Sequence, residues 1–304
     1  MSFEWSERIR TSSLMKTERR FRDYQPEAEA WITLATGEYY PDILPDACRL
    51  YEPVLVEFGR LLKASHSSTF FFESIMATQN QWMRTQLCRV FKKYVSPQTP
   101  VEMLKRKTDA VKICIQFGEA FRSVVEVQQK FESRPLPDEA LCAVLWEYKD
   151  RGKKGYDLTE RLFDIFRNQF SEFTVTGPER AGKDVIMGRV FKDYPKPDRP
   201  VDFVIKDKKR VVAIGLARYD SDRGGAQEDD RTGQYREVAQ EIIRYADSHG
   251  LSRIKVIFVN DGPGLLLGSM WKDYAHLEDR WPGRVKVVTL RMVPVRITAK
   301  WLRS

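Results

Sequence analysis

The chain has 304 residues, of which 42% are apolar and 31% charged, and its formal net charge is +8. This composition is typical of a globular protein of one large domain or two ordinary ones, and it excludes a disordered chain. No apolar run approaches the roughly 20 residues that cross a bilayer, and the charged start MSFEWSERIR differs from a signal peptide. We therefore expect a cytoplasmic protein with no membrane partner, whose positive charge attracts polyanions.

Residues 1–154 are predicted to form a mainly helical region. Apolar residues recur at helical spacing over 45–65 and over 70–95, and Pro97 ends the second run. The sequence Thr99-Pro100 is typical of a helix start, which predicts a helix over 99–132. Further helices are predicted over 137–152, where Gly152 ends the helix, and over 157–170, where Asp157 serves as the N-cap.

The pattern changes near residue 171 to short segments rich in Val, Ile and Phe, bounded by Gly, Pro and charges. Helical patterns interrupt these segments at 229–250 and 270–280. The expected fold class is α/β, a mixed β-sheet flanked by helices, with residues 155–304 forming this core after the helical region. The predicted strands cover 172–177, 183–191, 200–206, 210–219, 253–261 and 284–293.

The apolar strand VVAIGLA runs directly into RYDSDRGGAQEDDR, which holds four Asp, one Glu and three Arg around a Gly-Gly. Such a stretch can be a solvated loop with internal ion pairs. We favour a binding loop, because guanidinium groups contact phosphates and guanine edges while carboxylates orient them. The candidate DNA-binding residues are Arg218, Asp220, Arg223 and Arg231.

Two aspartates, Asp184 and Asp202, lie on successive predicted strands. If these strands pair in antiparallel fashion, opposed side chains lie about 5 Å apart, close enough to share a divalent cation such as Mg²⁺. The alternative is that one of the two is an ordinary surface aspartate. Glu160, on the helix that leads into the sheet, either adds a third carboxylate or faces solvent.

Two other kinds of site are disfavoured. Gly177 and Gly182 have the spacing of a phosphate-binding loop, but Asp184 follows Lys183 where a hydroxyl residue is needed. The four cysteines form no C-x-x-C pair, and the three histidines share no ligand spacing with them, so a zinc site is not expected.

The segment RPVDFVIKDKKRVVAIGLARYDSDRGGAQEDDRTGQYREVAQEI, followed by KVIFVNDGPG, resembles the core of type II restriction endonucleases of the PD-(D/E)xK superfamily, nearest to enzymes that cut GATC-type sites. The resemblance covers roughly residues 155–295. It implies that Asp202 is the metal-binding aspartate of the motif and that Glu160 corresponds to a carboxylate on the preceding helix. It further implies Mg²⁺, double-stranded DNA as partner, and a homodimer that cuts both strands.

The second half of the motif is absent, because Gly215 and Ala217 stand where an acidic residue and a lysine belong. Three interpretations follow. In the first, Lys183 and Asp184 on the neighbouring strand replace the missing groups, and Gly215 lets a neighbouring group approach closely. In the second, Arg218 and Asp220 replace them through a bulge in the strand. In the third, the protein binds DNA without cutting it.

We expect a type II site-specific endonuclease in which Asp184 and Asp202 bind Mg²⁺ and Lys183 orients the attacking water or stabilises the phosphorane. Glu160 completes the site, and the helical region clamps DNA or forms the dimer. The alternatives are an inactive DNA-binding relative and, from another class, a helical scaffold protein whose positive charge is incidental.

Overall fold

The computed structural model describes residues 18–35, 37–149, 153–178, 184–221 and 227–304, with side chains from 157 and from 232 onward in the helices that follow two of the gaps. The chain divides into two compact units. The core unit combines Met1–Thr36 with Gly152–Ser304, and the helical unit is Gly37–Arg151. Its end lies close to the predicted boundary at 154. The start of the helical unit differs from the prediction, because the described residues 18–35 belong to the core unit.

Aromatic packing explains why the N-terminal segment joins the core unit. A 3-10 helix at Phe21–Glu27 leads into helix α1 at Ala28–Trp31. The Phe21 ring stacks on Trp271 with centroids 4.4 Å apart, and the Trp271 indole Nε1 donates a hydrogen bond to the Phe21 carbonyl at 3.1 Å. Both rings are almost fully buried. This contact joins positions 250 residues apart in the sequence, which no local pattern reveals.

The helical unit buries a cluster of aromatic rings, among them Phe58, Phe71, Phe72 and Phe91. The predicted helix over 45–65 is confirmed as the longest helix described in this unit. Its helices are α2 (Leu44–Lys63), α3 (Ser68–Ala77), α4 (Gln81–Tyr94), α5 (Val101–Leu104), α6 (Ala110–Phe117), α7 (Val124–Glu132) and α8 (Glu139–Trp146), with 3-10 turns at Lys107–Asp109 and Gly118–Ala120.

Two helices predicted as continuous are interrupted. The run over 70–95 divides into α3 and α4, because the Asn80 side chain accepts a hydrogen bond from the Met83 amide at 2.9 Å and starts a new helix. The run over 99–132 divides into α5, α6 and α7, and Ser123 caps the last of them. Capping side chains inside an apolar periodic run thus account for the starts of α4 and α7, whereas α5 and α6 begin without a side-chain cap.

The core unit is a mixed sheet flanked by helices, which confirms the predicted fold class. The main sheet has five strands in the order β1-β4-β5-β6-β7, and β2 and β3 form a separate pair. The strands are β1 (Phe173–Thr176), β2 (Val185–Ile186), β3 (Pro200–Val201), β4 (Phe203–Asp207), β5 (Arg210–Tyr219), β6 (Lys255–Asp261) and β7 (Val285–Val288). The helices are α9 (Lys153–Gln169), α10 (Met187–Val190), α11 (Gln227–Ser248), α12 (Met270–Arg280), α13 (Val293–Arg296) and α14 (Ala299–Arg303), with 3-10 turns at Pro263–Leu266 and Leu290–Met292.

Strand direction changes in the middle of the main sheet. Strands β1, β4 and β5 pair in antiparallel fashion, whereas β5, β6 and β7 are parallel. A two-residue turn, Lys208-Lys209, joins β4 to β5, and Lys208 has a positive φ of 56°. Every residue of β6 is buried, as expected for a parallel strand covered on both faces. Because β5, β6 and β7 run in the same direction, their carboxyl ends lie at the same edge of the sheet. In the sequence, the charged segment follows β5 at this edge.

Two local predictions were wrong. The strand predicted over 183–191 contains only the two residues of β2 and then turns into α10, because the Met187 and Gly188 amides donate to the Arg199 and Pro197 carbonyls. Helix α9 begins at Lys153, so Asp157 lies inside the helix and is not its N-cap. Among the described residues, no helix has the length and apolar character needed to cross a membrane.

Candidate functional site

Asp202 lies between β3 and β4 with its carboxylate half-buried against β5. Its Oδ2 accepts a hydrogen bond from the Ala217 amide at 2.7 Å, and its own amide donates to the Gly215 carbonyl at 3.1 Å. Loss of solvation raises the pKa of Asp202 to about 6, the Ala217 hydrogen bond lowers it, and the charge of Asp184 raises it further. The backbone of β5 thus fixes a carboxylate whose charge is poorly solvated.

The pairing of β2 with β3 brings Asp184 toward Asp202. Val185 lies opposite Val201 in this antiparallel pair, and Asp184 and Asp202 are the residues that adjoin Val185 and Val201 at the same end of the pair. Asp184 is exposed, and its charge is one of the causes of the raised pKa of Asp202. The two carboxylates are thus close enough for the charge of Asp184 to act on Asp202, with one carboxylate held by β5 and the other facing solvent, and their pairing around a cation stays a prediction.

Two adjacent carboxylates suit a magnesium ion, which retains several waters and needs only one or two carboxylates from a protein. A divalent cation would also remove the repulsion that raises the pKa of Asp202. Within the described ranges, no group of three His, Cys, Asp or Glu side chains is arranged to hold a metal ion. The residues present thus fit a hydrated Mg²⁺ held by the Asp184–Asp202 pair, and the cofactor remains a prediction.

An aromatic ring explains the glycine at position 215. Gly215 lies directly opposite Phe203 in the β4–β5 pair, and a Cβ atom added at Gly215 would come within 2.0 Å of the Phe203 ring. The ring packs edge-on against Phe163 of α9, with centroids 6.4 Å apart. The neighbouring group that Gly215 admits is therefore a core side chain, and the space for an acidic side chain at 215 is already filled.

The remaining predicted catalytic residues differ in what the structure describes. Glu160 lies half-buried on α9 and has interactions with neighbouring groups, but it does not complete a three-carboxylate cluster with Asp184 and Asp202 among the described residues. Lys183 lies outside the described residues. The interpretation in which Lys183 and Asp184 replace the missing half of the motif therefore rests on Asp184 alone.

The register of β5 contradicts the interpretation in which Arg218 and Asp220 replace the missing groups. Strand β5 pairs with β6 without interruption from Ala213 to Tyr219, so no bulge changes the alternation of its side chains there. Arg218 consequently points to the opposite face from positions 215 and 217. The two residues form a separate polar cluster at the ends of β5 and β6.

Asp220 orients Arg218 at the ends of the parallel strands. The Arg218 Nε donates to Asp220 Oδ1 at 2.8 Å, and the Tyr274 hydroxyl lies 3.4 Å from Asp220 Oδ2. Asp220 is only 3% exposed, so it orients Arg218 and is not available for direct contact with DNA. The Arg218 side chain, in contrast, is 34% exposed. Arg223 and the side chain of Arg231 lie outside the described residues, although Arg231 belongs to α11.

Sequence reasoning missed the structural role of Asp261, the first residue of the sequence Asp261-Gly262-Pro263-Gly264. Its fully buried carboxylate accepts hydrogen bonds from the Thr33, Gly262 and Leu290 amides at 2.6, 2.7 and 3.0 Å. Burial raises the pKa of this carboxyl, and the three amides lower it. Asp261 thus joins the N-terminal segment to the strand ends, a role that only the long-range contacts reveal.

The two glycines of the same sequence allow a close approach to the Asp220 backbone. Gly262 has a φ of 105°, and a Cβ atom added there would come within 2.3 Å of the Asp220 carbonyl oxygen. A Cβ atom at Gly264 would lie 2.9 Å from the same oxygen. The Gly264 amide instead donates to that carbonyl at 2.8 Å. These glycines therefore position the residue that holds Arg218.

In comparisons with known proteins, no protein-family model, curated protein or solved structure matches this chain.

Proposed function

We propose that the core unit is a Mg²⁺-dependent, site-specific endonuclease for double-stranded DNA. The observation that carries this proposal is the Asp184–Asp202 pair, in which one carboxylate is fixed on β5 with a pKa of about 6 and the other is exposed beside it. Paired carboxylates with a strongly shifted pKa are typical of sites that bind a divalent cation or transfer protons. The mixed sheet with parallel strands at one end is compatible with the resemblance to PD-(D/E)xK enzymes.

Bound Mg²⁺ would polarise the phosphodiester and lower the pKa of an attacking water. In this chain, Asp202 would hold the cation in a fixed place, since the Ala217 amide restrains its carboxylate. Asp184, exposed to solvent, would complete the contact from the side on which DNA arrives. Lys183 precedes Asp184 in the chain and is the basic residue proposed to orient water.

Arg218 is proposed to contact DNA at the ends of the parallel strands. Asp220 holds its Nε at 2.8 Å, which restricts the guanidinium to few orientations and reduces the entropy lost on binding. A restrained guanidinium favours bidentate contact with a phosphate or a guanine edge. A homodimer is part of the proposal, because two symmetric subunits would each meet one strand of a palindromic site.

A second candidate function is DNA binding without hydrolysis. The observation in its favour is the Phe203 ring, which fills the space of the acidic residue expected at position 215. Such a protein would keep Arg218 and the positive charge of the chain while its carboxylate pair served only the fold. The two candidates predict the same DNA binding and differ in cleavage.

Plasmid cleavage separates them. The full chain is incubated with supercoiled plasmid, with Mg²⁺ or with EDTA, and we expect discrete linear fragments only with Mg²⁺. Asp202→Asn should reduce the rate by at least about 100-fold, because loss of a metal ligand removes several kcal/mol of transition-state stabilisation. The matched control is Asp198→Asn, which changes an exposed aspartate four positions earlier in the chain. Retarded but uncut plasmid would support the binding protein instead.

A gel-shift series with increasing salt tests DNA binding itself. We expect affinity to fall steeply with salt, because each phosphate contact releases counterions. Arg218→Ala should weaken binding by roughly tenfold or more, which corresponds to about 1–3 kcal/mol for a bidentate contact. Arg253→Ala is the control, since Arg253 is exposed just before β6, at the other end of that strand from the partner of Arg218. If the chain showed no salt-sensitive binding to DNA, the scaffold protein would be the remaining alternative.

A further inference from the structure

Two cysteines of the helical unit, Cys48 on α2 and Cys142 on α8, come together although they are far apart in the sequence. The Tyr51 hydroxyl of α2 donates to the Leu145 carbonyl of α8 at 3.0 Å, one helical turn after the two cysteines on both helices. On the other side of the cysteines, Leu44, four residues before Cys48, and Ala140, two residues before Cys142, line the same cavity of about 420 Å³. The cysteines lie between these two contacts, at the same level of the helix pair.

The electrostatic environment of Cys142 agrees with this placement of the two thiols. Burial raises the pKa of the Cys142 thiol to about 12, and both the charge of Cys48 and its hydrogen bond with Cys142 add to the shift. The other two cysteines have different neighbours. Burial raises the pKa of both thiols, and the charge that also acts is that of Arg84 on Cys88 and that of Glu73 on Cys114. Cys48 is half-buried, whereas Cys142 is fully buried. A small oxidant therefore meets Cys48 first.

We propose that Cys48 and Cys142 form a site of reversible oxidative modification, closing an intramolecular disulfide between α2 and α8 in the presence of a peroxide. The Cys48 thiolate attacks the peroxide, the O–O bond breaks, and Cys48 becomes a sulfenic acid while one water leaves. The Cys142 sulfur then attacks the Cys48 sulfur, the S–O bond breaks, and the sulfenic hydroxyl leaves as a second water with the Cys142 thiol proton, the Cys48 thiol proton having left in the first water. Hydrogen peroxide accepts the two electrons, and a dithiol reductant reverses the change.

Local geometry favours this pairing over other products. A disulfide requires Cα atoms within about 7 Å, a separation compatible with two residues at the same level of a packed helix pair, as the Tyr51–Leu145 contact places them. The high pKa of Cys142 makes the second step slow, since the thiolate is the attacking species. We expect disulfide formation over minutes to hours at neutral pH and faster formation as pH rises.

The test is peptide mapping of the folded full chain after treatment with hydrogen peroxide, quenched with an alkylating agent. We expect a linked peptide pair that contains Cys48 and Cys142, a loss of two of the four titratable thiols, and recovery of all four after dithiothreitol. Cys48→Ser should abolish the linked pair and leave Cys142 reduced, because Cys142 has no exposed surface. Cys114→Ser is the control and should leave the linked pair unchanged.

The proposal fails if the treated wild-type chain contains Cys48 as a sulfinic acid or linked to a second chain, without the internal pair. It also fails if the linked peptide forms only after denaturation, which would place the thiols too far apart in the folded protein. These outcomes are read on the wild-type chain, so they do not depend on how the variants fold. They are also independent of DNA cleavage.

Discussion

The two units of this protein use their charged residues in different ways. The helical unit has 16 Lys and Arg against 15 Asp and Glu, so nearly all of the net charge of +8 belongs to the core unit. Among the described residues, the helical unit buries one carboxylate, Asp138, which caps α8 and pairs with Arg134. The core unit buries three acidic and three basic residues, namely Asp220, Asp261, Glu278, Lys255, Lys286 and Arg296.

The difference in buried charge between the two units helps to locate the candidate functional site. Burying a charge costs free energy that an apolar core of the same size would not lose. The helical unit buries only one carboxylate among its described residues, so it forms a compact unit with almost no free-energy cost from buried charges. In the proposed function, the positive surplus of the core unit would make that unit the main source of attraction for DNA, and the helical region would form the dimer rather than clamp DNA.

The largest effect is expected where the core unit depends on a buried ion pair. Glu278 accepts hydrogen bonds from Arg296 at 2.6 Å and from the Phe21 and Val287 amides, and both side chains are almost fully buried. Glu278→Ala should lower the free energy of unfolding by about 3–5 kcal/mol, because it leaves a buried guanidinium without its partner. Denaturant titration followed by circular dichroism measures this change.

The matched variant in the helical unit is Glu57→Ala, which removes the surface pair between Glu57 and Arg60 on α2. An exposed pair of this kind contributes little to stability, because solvent screens it and both side chains lose conformational freedom, so the loss should be far smaller than for Glu278→Ala. If both variants lost similar stability, buried charge would not distinguish the two units, and the comparison above would be wrong.

The next effect concerns the pH dependence of stability around Asp202. Its pKa is about 6 in the folded protein and near 3.8 in the unfolded chain, so the folded protein holds the proton more tightly. The folded state therefore loses stability as pH rises from about 4 to 6, by about 2–3 kcal/mol, since one pKa unit corresponds to about 1.4 kcal/mol. Above pH 6 the charged carboxylate repels Asp184, and Mg²⁺ should restore stability.

Asp202→Asn removes the ionisation and should therefore be more stable than the wild-type chain at pH 7.5, and nearly equal to it at pH 4. Thermal unfolding at both pH values, with and without Mg²⁺, tests this. Mg²⁺ should raise the melting temperature of the wild-type chain but not that of the variant. Equal pH dependence of the two proteins would mean that Asp202 is well solvated and is no candidate metal ligand.

A smaller effect is expected at position 215. Gly215→Glu places a side chain where the Phe203 ring lies and should lower the free energy of unfolding by about 1–3 kcal/mol through overpacking. Gly37→Glu is the control, because nothing lies within 4 Å of a Cβ atom added there. In a Phe203→Ala background the cost of Gly215→Glu should shrink, and a double-mutant cycle of unfolding free energies measures that coupling. Purely additive costs would exclude the ring as the reason for the glycine.

The sequence predicts the core unit well wherever local pattern and tertiary environment agree. Strand β5 occupies the predicted 210–219, and helix α12 occupies the predicted 270–280, because each has a strong periodicity and clear end signals. The sequence also places Asp184 and Asp202 on neighbouring segments, and the β2–β3 pair adjoins both residues. In contrast, the predicted strand over 183–191 ends after β2, since contacts with the carbonyls of Pro197 and Arg199 impose a turn.

The parts of the site that could not be predicted depend on long-range contacts. The sequence interprets Gly215 as the place where a neighbouring group approaches closely, and only the β4–β5 register shows that this group is the Phe203 ring of the core. Asp220 was expected to contact DNA, yet it is buried beneath Arg218, because Tyr274 from α12 and the glycines after β6 enclose it. Composition reveals which residue types are present, but burial decides whether a carboxylate binds a ligand or supports another side chain.

The smallest effect belongs to the helical unit and tests whether local signals alone determine its boundaries. The Asn80 side chain accepts from the Met83 amide and separates α3 from α4 within one apolar run. Asn80→Ala should lower the free energy of unfolding by about 1 kcal/mol, as for other lost N-caps, whereas Gln79→Ala should change it little because Gln79 is exposed just outside the helix. Because α4 packs on α2 through a buried aromatic cluster, the variant should keep its helix content even as stability falls. A gain in helix content, as if α3 and α4 had fused, would mean that Asn80 alone prevents one long helix, and that the boundary owes nothing to packing.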